Sequence, residues 1–143
     1  MSLIVSPTGK RMKASDISAA TWNKLAKLAW AARSNARILD DTKVGSALIT
    51  ANGKIFSGCN VEHSLKSHDI HSETNTISTM IANGERKIIA IVVVSHREHL
   101  TPCGSCMDWI FEFGGPDCLV GVFSKKKNMT LYRAVELMPY YPY

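Results

Sequence analysis

Two short segments concentrate the side chains able to do chemistry: His71-Ser72-Glu73 and Pro102-Cys103-Gly104-Ser105-Cys106. Cys103 and Cys106 stand three apart, so on one helical turn both sulfurs face the same way and can share one tetrahedral metal ion. His71 supplies a third donor and leaves a fourth position open for water, the pattern of a catalytic rather than a structural zinc site. Glu73, two residues past that donor, is placed to take a proton from water and return it to another atom. A redox reading of Cys103 and Cys106 meets Pro102 directly before the pair and no thioredoxin-like surroundings. A purely structural zinc domain would want a fourth ligand and has no use for Glu73.

Such residues work only if elements hold them, and both segments read as helix starts. The spacing predicts a helix over about Ser15 to Ser34, from Leu25, Leu28, Ala29 and Ala32, with Ser15 and Asp16 suited to capping it. Val44 to Thr50 and Ile55 to Asn60 are β-rich runs around Asn52-Gly53, a hairpin signal. A second helix is expected over Ser72 to Ala82, with Ile77, Met80 and Ile81 inward and Asn83-Gly84 at its end. Ile88 to Ser95 is nearly continuous aliphatic sequence, as in a strand covered on both faces. Pro102 opens a third helical stretch with Met107, Ile110 and Phe111 inward and Gly114-Gly115 at its stop. Leu119 to Ser124 reads as another strand, and Thr130 to Met138 as a short strand and a helical turn. This alternation implies an α/β fold, a three-layer α/β/α sandwich on a mixed sheet with parallel central strands. In such sheets the ligand crevice forms where strands end and helices begin.

Composition agrees with a packed domain spanning residues 1–143: 45% hydrophobic and 20% charged, far from the signature of disorder. The charge of +5 is spread along the chain except for Lys125-Lys126-Lys127, which reads as a solvated turn and argues against a nucleic-acid partner. Met1 to Lys13 lacks the apolar core of a secretory signal, and no segment approaches the roughly 18 apolar residues of a membrane span. The expectation is therefore a cytoplasmic protein without a membrane partner. Cys59 and Cys118 read as buried free thiols rather than a disulfide. His63, His68, His96 and His99 read as exposed or pocket-lining side chains, and Asp69 and Asp108 as surface or capping carboxylates.

His-x-Glu followed by Pro-Cys-x-x-Cys is the signature of zinc nucleobase deaminases. Beyond it, the chain resembles the small cytidine deaminase family. Val44-Gly45-Ser46-Ala47-Leu48 is similar to its V-G-A-A-L strand and Gly58-Cys59-Asn60-Val61-Glu62 to its G-x-N-V-E segment. Thr101 to Cys106 resembles S-P-C-G-A-C, and Glu136-Leu137-Met138-Pro139 its E-L-L-P end. The resemblance implies zinc-dependent hydrolytic deamination of a cytidine-like nucleoside, with Zn2+ on His71, Cys103 and Cys106. It implies Glu73 as general base and acid, Asn60 and Glu62 on the ribose hydroxyls, Ser72 as a further substrate contact, and a homotetramer.

The chain also departs from that family. It has His71 where a third Cys is usual, and Thr74 and Met107 where Arg is common. Two thiolates and a neutral imidazole balance a zinc dication, so the lost guanidinium groups are no longer needed to offset a third thiolate. Thr42-Lys43 stands where Phe-Pro usually packs on the base, and His63 where Asn is frequent. A modified aminopyrimidine such as blasticidin S is the alternative substrate. The tyrosines of Pro139 to Tyr143 suit a subunit contact and could supply an aromatic surface missing at Thr42.

Overall fold

The computed structural model describes residues 11–124 and 128–142, so the readings made on residues 1–10, on Lys125 to Lys127 and on Tyr143 lie outside it. Helix α1 spans Ala19–Arg33, and its start differs from the expectation. Ala14–Asp16 form a separate 3-10 turn, and the cap is Ser18, whose hydroxyl accepts the Thr21 N–H at 3.1 Å. Strands β1 (Val44–Thr50) and β2 (Ile55–Cys59) form the hairpin around Gly53, whose φ of 80° suits a residue without a Cβ. Helix α2 (Ser72–Ala82), strand β3 (Ile88–Ser95), helix α3 (Gly104–Gly114), strands β4 (Leu119–Phe123) and β5 (Thr130–Arg133) and helix α4 (Ala134–Leu137) complete the order.

The sheet runs β2-β1-β3-β4-β5. Among these strands parallel pairing is confined to β3 and β4, with Ile91 opposite Val120; β1 is antiparallel to both its neighbours. The expected parallel centre is thus a single pair, because the β1–β2 hairpin inserts a reversed strand. Alternate residues supply the two faces, as the period of a strand demands. Leu48, Phe56, Ile91 and Val93 face α2 and α3, whose Ile77, Met80, Met107 and Ile110 are buried there. Ala47, Ile49, Val92 and Val94 face the other way, onto Leu25 and Ala29 of α1. The result is a three-layer α/β/α sandwich on a mixed sheet.

Strand direction then places the helices. β2 and β3 are each antiparallel to β1, so they point the same way, and the helices that follow them begin at the same end of the sheet. Two close approaches set their depth. A Cβ on Gly45 would lie 2.0 Å from the Ala29 carbonyl oxygen of α1, and one on Gly58 would lie 2.7 Å from Thr76 Oγ1 of α2. Backbone therefore meets helix at both points, α1 on β1 and α2 on β2.

Near the C-terminus Tyr141 folds back on α3. Its ring stacks on Phe111, with centroids 4.2 Å apart and planes 10° from parallel, and its hydroxyl donates to Asp108. Tyr140 stays 96% exposed.

Candidate active site

Because α2 and α3 begin at one end of the sheet, their first residues meet. His71 is the N-cap of α2, Cys103 the N-cap of α3, and Cys106 lies one turn on. His71 Nδ1 is 3.4 Å from Cys103 Sγ and 3.4 Å from Cys106 Sγ. All three donor atoms lie within 4.8 Å of one another, and among the described residues this is the group of His, Cys and acidic side chains able to hold a metal. Ideal tetrahedral zinc bonds to sulfur and nitrogen would set neighbouring donors about 3.5 Å apart, so the donor set fits that ion. His63 and His68 instead pack against each other, and His96 packs against Trp30.

Burial disfavours charge on the side chains of the cluster. Burial pushes the Cys106 thiol well up from its ordinary value, and the charges of Glu73 and Cys103 push it further. Burial likewise pushes the Glu73 carboxyl up, opposed by its own backbone N–H, His71, Cys106 and Arg97. A dication held by His71, Cys103 and Cys106 would reverse this for the two thiols, since coordinating thiols lose their protons outright. Glu73 is 5% exposed, held in the first turn of α2 where a helix N-terminus favours a carboxylate.

Ser72 lies between His71 and Glu73, but its hydroxyl is engaged beneath the helix start, on the sheet. It donates to Ser46 Oγ at 2.7 Å and to the Gly58 carbonyl at 3.3 Å. Ser46 Oγ is 2.6 Å from Thr76 Oγ1, which donates to the Ser72 carbonyl at 3.0 Å. The three hydroxyls are fully or almost fully buried and tie β1 and β2 to the start of α2. What Ser72 can present outward is its main chain, one of the helix-start N–H groups without an intrahelical partner.

A cleft of about 160 Å³ opens over the cluster, and Asn60, Glu62, Ser72 and Glu73 all line it with His71 and Cys103. The Asn60 amide holds the loop before β1: Oδ1 accepts the Val44 N–H at 2.8 Å and Nδ2 donates to the Thr42 carbonyl at 2.9 Å. Glu62 is different. Its Oε1 accepts the N–H groups of Leu39 and Asp40, each at 3.2 Å, and Lys66 at 3.3 Å, while buried Oε2 has no partner. Burial alone would raise this carboxyl; those N–H groups and Lys66 outweigh it and hold it down at about 2. The site therefore keeps an ionised, half-satisfied carboxylate ready for a hydroxyl donor.

Sequence reasoning did not single out Ser46 or Thr76 as a supporting pair, or Asp41 and Arg97, which line the same cleft and pair across it at 2.6 Å. The two charges are 56 residues apart, so no spacing links them. Their placement just before β1 and just after β3 was the available signal, since such crevices form at strand ends. Asp69, read as a surface or capping residue, lines the cleft while accepting the His63 N–H at 2.7 Å.

Residues 20–122 match the family described as the cytidine and deoxycytidylate deaminase zinc-binding region. A protein of Sporosarcina psychrophila named cytidine deaminase is 31% identical over 97 residues, covering 67% of this chain and 71% of that one. One of Dictyostelium discoideum named "Probable cytidine deaminase" is 38% identical over 74 residues, and this chain spans only 50% of that relative's length. The crystal structure of cytidine deaminase from Burkholderia pseudomallei superposes with a TM-score of 0.78 at 32% identity, over 82% of this chain and 96% of that one.

Proposed function

Since the chain belongs to the cytidine and deoxycytidylate deaminase zinc-binding family, we propose that it catalyses the hydrolytic deamination of cytidine to uridine, with release of ammonia. Zn2+ is its cofactor. The observation that carries the reading is the buried Glu73 carboxyl lining one cleft with a three-donor cluster.

In this reading His71, Cys103 and Cys106 hold the ion, and when bound it supplies a Lewis acid that makes water nucleophilic near neutral pH. Glu73 takes the proton of the water whose oxygen attacks C4 of the base. The same carboxyl gives that proton to ring N3, then takes the proton of the new hydroxyl on C4 and passes it to the amino group, which leaves as ammonia as the C4–N bond breaks and the oxygen becomes the C4 carbonyl. Glu62 Oε2 accepts a ribose hydroxyl, which would satisfy the buried oxygen. Asn60 acts at the same end of the cleft, chiefly by fixing the Thr42 to Val44 main chain, with its remaining donor and acceptor capacity for the sugar. Ser72 contributes through its main-chain N–H rather than its hydroxyl.

We extend the proposal to a single domain over residues 1–143, to a homotetramer and to the cytoplasm. None of the four cysteines is in a disulfide, and no described helix is long and apolar enough to cross a membrane. Ammonia release tests the activity: the zinc-loaded protein should act on cytidine in preference to cytosine and blasticidin S. Turnover of blasticidin S alone would overturn the cytidine assignment. Cys103→Ser should lose more than half of its zinc by metal analysis, and unchanged zinc content would remove Cys103 from the ligand set.

A further inference from the structure

The cleft over Glu73 has a feature that the proposed chemistry does not use. Its apolar wall is aliphatic, made by Val44, Ile70 and Leu100, and among the described lining residues no aromatic ring other than His71 is present. A pyrimidine bound there has two flat faces to cover, and an uncovered face forfeits much of its binding energy. The broadest planar group left in the lining is the guanidinium of Arg97, and planar guanidinium groups stack on aromatic faces.

Arg97 is also held in place. Its NH2 donates to Asp41 Oδ1 at 2.6 Å, Asp41 Oδ1 accepts the Thr42 N–H at 2.7 Å, and the Arg97 main-chain N–H donates to Ser95 Oγ at 2.9 Å. The loop before β1 and the loop after β3 are thereby joined at the mouth of the cleft. The two side chains remain 44% and 58% exposed, so an ion pair of this kind adds little to stability. Its main consequence is positional: a guanidinium with its charge already matched by Asp41 is a poor receptor for an anion but still offers a flat face.

Resting on the cytidine reading above, we propose that Arg97, held by Asp41, is a substrate-binding residue that covers one face of the pyrimidine ring. It selects an uncharged nucleoside over one carrying a phosphate at the sugar.

The test uses zinc-loaded full-length protein, steady-state cytidine deamination and calorimetric binding of uridine and uridine 5′-monophosphate. Arg97→Ala should raise the cytidine KM and the uridine Kd about tenfold, as expected for loss of one stacking partner, with kcat little changed. Arg97→Lys keeps the charge and loses the plane, so it should behave like Arg97→Ala. Asp41→Asn keeps the plane but loosens it and should fall between. Full affinity in Arg97→Lys, tighter binding of the monophosphate than of uridine, or an unchanged KM in Arg97→Ala would each overturn the assignment. A wild-type protein that neither deaminates cytidine nor binds uridine would instead overturn the function on which it rests.

Discussion

Glu73 and Glu62 are both buried carboxylates in one cleft, yet their surroundings push them in opposite directions. Glu73 has burial as its dominant influence and is raised; Glu62 has two backbone N–H groups and Lys66 and is held at about 2. One is suited to moving protons and the other to staying charged. Glu73→Gln should keep the zinc and the fold but lower cytidine turnover by about 10²–10⁴-fold, the usual worth of a placed proton-transfer group. More than a tenth of wild-type turnover would exclude Glu73 as the proton carrier. For Glu62 the sign follows from a folded-state value depressed below the ordinary 4.5. Its contribution is present above pH 4.5 and lost as pH falls toward 2. The urea midpoint of Glu62→Gln should therefore lie below that of the wild type above pH 4.5, with the gap closing toward pH 2. A gap independent of pH would show that the charge is not what matters.

Helix depth is set where backbone touches helix. The virtual Cβ on Gly45 meets main-chain oxygen at 2.0 Å, so Gly45→Ala must push α1 off the sheet. Overpacking of this kind costs about 1–3 kcal/mol, and a urea midpoint equal to that of the wild type would refute the contact. The hydroxyl cluster under α2 gives a second prediction. Ser46→Ala strips the Ser72 and Thr76 hydroxyls of a partner and should cost about 1–2 kcal/mol, whereas Ser46→Ala with Ser72→Ala should cost less than the two single changes added. Strict additivity would mean that the two hydroxyls are not coupled. At this scale the sequence was most legible where local chemistry decides. Val44 to Thr50, Ser72 to Ala82 and Ile88 to Ser95 lie where alternation, helical spacing and the Asn83-Gly84 stop put them. The start of α1 was misplaced because Ser15, Asp16 and Ser18 all have capping side chains, and only the backbone decides which serves. The inward turn of the Ser72 hydroxyl was not legible, since it depends on Ser46 across the sheet–helix interface.

For the whole molecule, the described surface leaves Trp109, Leu131 and Tyr140 at 38%, 46% and 96% exposure. In the proposed tetramer, subunit contacts would cover such groups. Light scattering at micromolar concentration should give four times the chain mass; a monomer mass would refute the tetramer. Tyr141 is already committed to Phe111, so within the described tail Tyr140 is the aromatic group still open to a neighbour. The direction of the strands has one more effect. His71 and the cysteine pair lie 32 and 35 residues apart in the chain, and they converge only because β2 and β3 run the same way on either side of β1. A chain with its hairpin wound wrongly would carry the same three side chains and present them to different solvent. On the proposed ligand set, tightly held zinc per mole of protein is therefore an assay of topology, counting the molecules in a preparation that were threaded correctly before any substrate is added.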